Sequence, residues 1–212
     1  NVYVPPYALG TNEVDVWQAM IEFGYPQKTV VVKPSTGRGN RGLNIFTGEQ
    51  SAPTWLGNGK RESRHCPNAI SAPDQLIGLI ESRTMIMPAL SEPAYDVDVL
   101  GSKNYAPQVV IRKRCNPSGI PFEGNKIVLA HVITDYCCAV ADALKLDSLF
   151  DMDLLTGPRG ACLLEVNPRP SGSLAVSLFA GFPILDVAVA DLFGSRINIE
   201  LPTEEKMVLP DL

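Results

Sequence analysis

The stretch at 163–173, LLEVNPRPSGS, together with FDMDLL at 150–155, constrains this chain more than any other part of it. Side chains alternate between the two faces of a strand. Glu165 and Asn167 therefore project one way, and Leu164 and Val166 project the other way into a core. Asp151 and Asp153 likewise share a face, with Phe150, Met152 and Leu154 behind them. Between the two runs, Thr156-Gly157-Pro158-Arg159-Gly160 is a turn signal. The pattern predicts a β-hairpin in which Asp153 sits nearly opposite Glu165. Carboxylates facing each other across a sheet repel, so the pairing calls for a cation or a compensating base. Mg²⁺ suits it, because it takes oxygen ligands, usually one or two carboxylates, with phosphate and water completing the octahedron.

A chain of 212 residues can bury a sizeable core, and one domain of two lobes is expected. The net charge of −5 argues against a general nucleic-acid or anionic-membrane binder. No apolar run reaches the roughly 18 residues of a membrane helix, and no signal peptide is expected. The five cysteines are odd in number and lack C-x-x-C spacing, which fits free thiols in a reducing cytoplasm. The chain opens on Asn1 rather than methionine and runs at once into Val4-Pro5-Pro6-Tyr7, so it reads as a fragment whose preceding domain is missing.

Residues 11–23 read as an amphipathic helix capped by Thr11 or Asn12 and ended by Gly24. The β-branched run at 29–34 reads as a buried strand, followed by a glycine-rich loop at 35–42 and a second strand at 43–46. Residues 47–71 are polar and loop-rich, a short helix is expected over 73–82, and 84–87 reads as a strand ending at Pro88. Strands are expected at 95–100 and 108–113, a helix at 131–146, and two helices within 174–194 broken at Gly181-Phe182-Pro183. Hairpin strands mixed with a few packed helices indicate an α+β fold.

Lys33 ends a buried strand and leads into the glycine-rich loop, where Gly37, Gly39 and Gly42 permit positive φ and let backbone amides face an anion. Arg38 and Arg41 add charge, so the loop reads as a phosphate cradle. G-x-x-x-x-G-K-[ST] is absent and no helix follows, which excludes a P-loop and a dinucleotide fingerprint. In Arg112-Lys113-Arg114, alternation sends the two arginines to one face and Lys113 to the other; a solvated edge and an anion-facing surface are both open readings. His65-Cys66 has no second pair at ligand spacing, which disfavours zinc, and His131 reads as structural.

The order of these features resembles the ATP-grasp superfamily: Lys33 with the glycine hairpin loop, a short strand into a linker, YDVDVL, then FDMDLL and LLEVNPRPSGS. That superfamily includes carbamoyl-phosphate synthase, biotin carboxylase and D-alanine–D-alanine ligase-like enzymes. The resemblance implies an α+β ATP-grasp fold whose two lobes hold the nucleotide between them, the first over 1–88 and the second over 89–212, with the usual N-terminal α/β domain absent from this chain. It further implies that Lys33 contacts the ATP phosphates and that Ser35, Gly37, Gly39 and Gly42 close over them. Met87, Pro88, Ala89 and Leu90 would form the adenine linker, where the family usually carries an acid, and Glu92 would reach back toward the ribose. Asp153, Glu165 and Asn167 match the metal ligands, which leaves Asp151 behind them as an outer partner. Arg169 matches the arginine that stabilises the transferring phosphate, and Ser171 to Ser173 would border the acceptor.

The activity this implies is an ATP- and Mg²⁺-dependent ligase, with Mn²⁺ as a substitute metal. It would join a small-molecule carboxylate to an amine, or to a thiol, through an acyl phosphate. The alternatives are a carbamoyl-phosphate synthase-like enzyme acting on bicarbonate and a non-catalytic ATP-binding regulatory domain. No nucleic acid or membrane partner is expected, and oligomeric state is left open.

Overall fold

A computed structural model describes residues 2–36, 42–47, 64–66, 70–78, 80, 83–103, 105–115, 124–195 and 202–209. The chain divides into two compact units, one containing Pro5–Ser91 and the other containing Asn1–Val4, Glu92–Asn116 and Ile120–Leu212.

In the first unit, α1 (Glu13–Glu22) starts where Asn12 accepts a hydrogen bond from the Asp15 amide at 3.0 Å. That bond satisfies one of the backbone donors that the first helical turn leaves open, and the Asp15 carboxylate reciprocates by accepting from the Thr11 amide and the Asn12 side chain. Gly24, at φ +97°, ends the helix as expected. A five-stranded sheet packs against it in the order β1 (Ala8–Gly10), β5 (Thr84–Pro88), β2 (Val30–Pro34), β3 (Asn44–Phe46) and β4 (Arg64–Cys66). Val16, Met20, Val30, Val32, Phe46 and Ile86 form its core. Two expectations change here. The segment read as loop at 47–71 contributes β4, which pairs in parallel with β3; three residues are too few to give a period. The helix expected over 73–82 is a single 3₁₀ turn, Pro73–Leu76, with Gly78 at φ +75° just beyond it.

The second unit is built on a six-stranded sheet in the order β10 (Gly160–Asn167), β9 (Ser148–Gly157), β6 (Ser91–Gly101), β7 (Gln108–Arg114), β8 (Asn125–Ile127) and β11 (Lys206–Val208). Helix α2 (His131–Leu144) covers one face, where Val97, Val99, Ile111, Phe150, Met152 and Leu154 meet Ile133, Cys137 and Val140. On the other face, Leu100, Val110 and Leu149 pack with Ile184 and Val187 of α4 (Ile184–Leu192), just after α3 (Ala175–Phe179). Alternation therefore puts Asp96, Asp98, Arg112, Asp151 and Asp153 on that second face, continuing the apolar floor under α4 as a polar patch.

The β9–β10 hairpin carries a β-bulge between Leu163 and Glu165. Leu163 pairs with Leu154, Glu165 with Asp153 and Asn167 with Asp151, so Leu164 is the extra residue. Leu163 and Val166 pack against the α2 core, which corrects the expectation that Leu164 fills that role. In an unbroken ladder Leu164 would face Asp153, and Glu165 would turn to the α2 side. The bulge re-aims the carboxylate.

Candidate metal and phosphate site

The hairpin gathers its oxygen-bearing side chains at one end of the second unit. Glu165 is exposed and Asn167 is half-buried. The Asn167 amide donates to Glu165 Oε1 at 3.2 Å and, more weakly, to Asp151 Oδ2 at 3.4 Å. Beyond the strand, Arg169 is exposed and its guanidinium donates to the Pro170 carbonyl at 2.9 Å.

Two arginines on β7 organise the acids on β6. Arg112 is fully buried and grips Asp98 with Nε at 3.1 Å and Nη2 at 2.9 Å. Its remaining nitrogen donates to Ser173, at both the carbonyl and Oγ, and Ser177 Oγ donates to Asp98 at 2.5 Å. Arg114 makes the same two-pronged contact with Asp96 and also donates to Asp153 Oδ1 at 2.7 Å. Burial would lower the Arg114 pKa, but its bonds and charge pairing with Asp96, joined by the charge of Asp153, raise it. The sequence singled out the basic cluster but not its acidic partners. The signal was there in two adjacent strands, one with Asp at 96 and 98 and the next with Arg at 112 and 114, paired antiparallel so that Asp96 faces Arg112.

Five carboxylates therefore share this face with two arginines, and both guanidinium groups are engaged. Burial pushes Asp153 up to about 8, and protons shared with Asp96 and Glu165 push the same way against the pull of Arg114. Burial, then the charge of Asp96, raise Asp151 to about 6. Burial also raises Asp98 despite Arg112, whereas at Asp96 the effect of burial is outweighed by Arg114 and the carboxyl is held below its ordinary range. Asp151 Oδ1 is buried without a hydrogen-bond partner. A crowded carboxylate and an orphaned one mark a site short of positive charge. Among the described residues no group of three or more His, Cys, Asp or Glu is arranged to hold a metal ion. Mg²⁺ does not require such a cage, since it usually takes one or two carboxylates and completes its shell with phosphate and water. The donor set Asp153, Glu165 and Asn167 fits that chemistry.

The first unit holds the other expected site residues. Lys33 is half-buried on β2, opposite Met85, and Val31 lies opposite Met87. Lys33, Met85 and Met87 consequently share the sheet face turned away from Val30, Val32 and α1. Gly42 is exposed at φ +70°, a conformation that suits glycine, while Gly37, Gly39, Arg38 and Arg41 lie outside the described residues. The Ser35 amide is committed to the Arg83 carbonyl at 2.9 Å, and the Ala89 amide to Thr29 at 3.0 Å. Pro88 has no amide proton, and Met87 and Leu90 are buried. Glu92 is exposed.

Together the two units form an ATP-grasp fold of α+β construction. The chain belongs to the family described as ATP-grasp in the biosynthetic pathway with Ter operon, whose model matches residues 81–209. Among solved structures it is similar to N5-carboxyaminoimidazole ribonucleotide synthetase from Thermus thermophilus, at 10% identity and TM-score 0.66, with 97% of this chain and 52% of that one covered. It is also similar to the biotin carboxylase domain of Hydrogenobacter thermophilus 2-oxoglutarate carboxylase in complex with MgADP, ADP and bicarbonate, at 16% identity and TM-score 0.64, covering 94% and 44%. A third likeness is to D-alanine-D-alanine ligase from Helicobacter pylori, at 17% identity and TM-score 0.55, covering 92% and 57%. The chain thus spans about half the length of these structures. Among the described residues no helix is long and apolar enough to cross a membrane.

Proposed function

We propose that this protein is an ATP-dependent ligase that activates a carboxylate as its acyl phosphate and couples it to an amine. The observation that carries the reading is the bulged hairpin, which pairs Asp153 with Glu165 and sets Asn167 beside them in a chain of ATP-grasp family. Mg²⁺ held by Asp153, Glu165 and Asn167 would supply positive charge for the phosphates. Lys33 neutralises phosphate charge from a strand end, and Arg169 does so from the segment after β10. A carboxylate oxygen of the acceptor forms a bond to the γ-phosphorus as the bond to the bridging oxygen of ADP breaks. The amine nitrogen then attacks the acyl carbon, the C–O bond to phosphate breaks, and the ammonium proton passes to solvent. Residues 171–173 border the acceptor. Positioning and fixed charge provide most of the acceleration in transfers of this kind.

The test is ADP release with Mg-ATP over a panel of carboxylates and amines. Glu165→Gln should lower the rate about 100-fold or more while leaving the circular dichroism spectrum and melting temperature near wild type. Full activity in that variant rules out the metal assignment. Bicarbonate in the same panel addresses the carbamoyl-phosphate synthase-like alternative through bicarbonate-stimulated hydrolysis. A second reading, a non-catalytic nucleotide-binding domain, is favoured by the seating of Arg114 on Asp153. It expects calorimetric binding of Mg-ATP with no turnover on any pair in the panel.

A further inference from the structure

Asp151 lies in FDMDLL two residues before Asp153 and is not one of the matched metal ligands, and its packing leaves one carboxylate oxygen without a partner. It sits on β9 at 5% exposure, with Met152 and Phe150 turned to the opposite core. One carboxylate oxygen, Oδ2, is within weak reach of the Asn167 amide at 3.4 Å. The other, Oδ1, is buried without a hydrogen-bond partner. Among the described residues no arginine hydrogen-bonds to Asp151: Arg112 is bonded to Asp98 and Ser173, Arg114 to Asp96 and Asp153, and Arg169 to the Pro170 carbonyl, so that Arg112 and Arg169 act on it only through their charge. A buried carboxylate left in this state is destabilising. Leucine or asparagine at 151 would suit the fold better.

We infer that Asp151 is a positioning residue of the divalent-cation site: its carboxylate orients the Asn167 side chain through Oδ2 and presents an unpaired buried charge that a bound cation compensates. The register supports this, since Asn167 is the direct cross-strand partner of Asp151 and its amide nitrogen also reaches Glu165. Outer partners of this kind fix ligand orientation and tune affinity. The inference rests on the proposed function, because it presumes a divalent cation at Asp153, Glu165 and Asn167.

The test compares wild type with Asp151→Asn, an isosteric change that keeps an acceptor oxygen and removes the charge. Mn²⁺ binding is followed by electron paramagnetic resonance in the presence of ADP, and the melting temperature is measured in EDTA. Two changes of opposite sign are expected: Mn²⁺ affinity falls about 10- to 100-fold, and the metal-free melting temperature rises. A purely structural Asp151 would give a lower melting temperature with Mn²⁺ affinity intact, and that result overturns the inference. Wild type binding Mn²⁺ while Asp151→Asn binds it equally well overturns the role of Asp151 alone. Absence of Mn²⁺ binding in wild type overturns the metal-site reading along with it. Asp151→Glu, which restores the charge, should recover part of the lost affinity.

Discussion

At Asp153 the surroundings favour a proton. The side chain is mostly buried and lies between Asp96 and Glu165, and only Arg114 pulls the other way. Its carboxyl is raised from an ordinary 3.8 to about 8. Between those values the folded protein holds a proton that the unfolded chain has released. Stability of the metal-free protein therefore falls as pH rises from about 4 to about 8, then levels. Asp151, raised to about 6, adds to the fall over the lower part of that range. Asp96 is held low by Arg114, so its contribution is present above its ordinary value and is lost only as pH drops below about 4, outside this window. Urea midpoints in EDTA should decline from pH 5 to pH 8, and Asp153→Asn should flatten the decline. Midpoints that rise over that interval in wild type would show that the charge crowding is misread.

Strands β6 and β7 are stapled by pairs that run diagonally, Arg112 to Asp98 and Arg114 to Asp96. Arg112 also reaches Ser173, so one side chain links two strands to the segment that follows the hairpin. Replacing it with methionine leaves Asp98 buried beside a lone serine donor, and breaking one half of a buried pair costs about 3–5 kcal/mol. Arg112→Met should lose stability on that scale in urea titrations, and Asp98→Leu added to it should recover much of the loss. A single-variant loss below about 1 kcal/mol would mean the pair is solvated. At this scale the sequence was readable where the period was long. The strand containing Val97 and Val99 and the helix beginning at His131 follow from alternation and helical spacing, whereas the facing of Asp153 by Glu165 depends on the bulge. The bulge at Leu164 was not readable, because one extra residue leaves no mark in a pattern of apolar and polar letters. The Arg114–Asp153 contact was hidden for a different reason. It joins strands 39 residues apart in sequence, and only the sheet order brings them together.

For the whole molecule, family membership and fold are established, and nucleotide binding is the property that most directly tests the proposed assignment of residues. The chain's two units carry different parts of that assignment: Lys33 and Met87 in one, and Asp153, Glu165 and Asn167 in the other. A ligand that binds only the folded protein stabilises it by RT ln(1 + [L]/Kd), about 2.7 kcal/mol at a hundredfold excess over Kd. Thermal shifts can therefore separate the contributions without any acceptor substrate. ADP with Mg²⁺ should raise the melting temperature more than ADP with EDTA. That difference measures the cation's share and should shrink sharply in Glu165→Gln, where one ligand charge is gone. Lys33→Met should instead weaken the shift by a similar factor with and without Mg²⁺, because an ammonium group meets phosphate directly. Identical Mg²⁺ dependence in Glu165→Gln and wild type would place the cation elsewhere. A Lys33→Met shift equal to that of wild type under both conditions would remove Lys33 from the phosphate site while leaving the hairpin assignment standing.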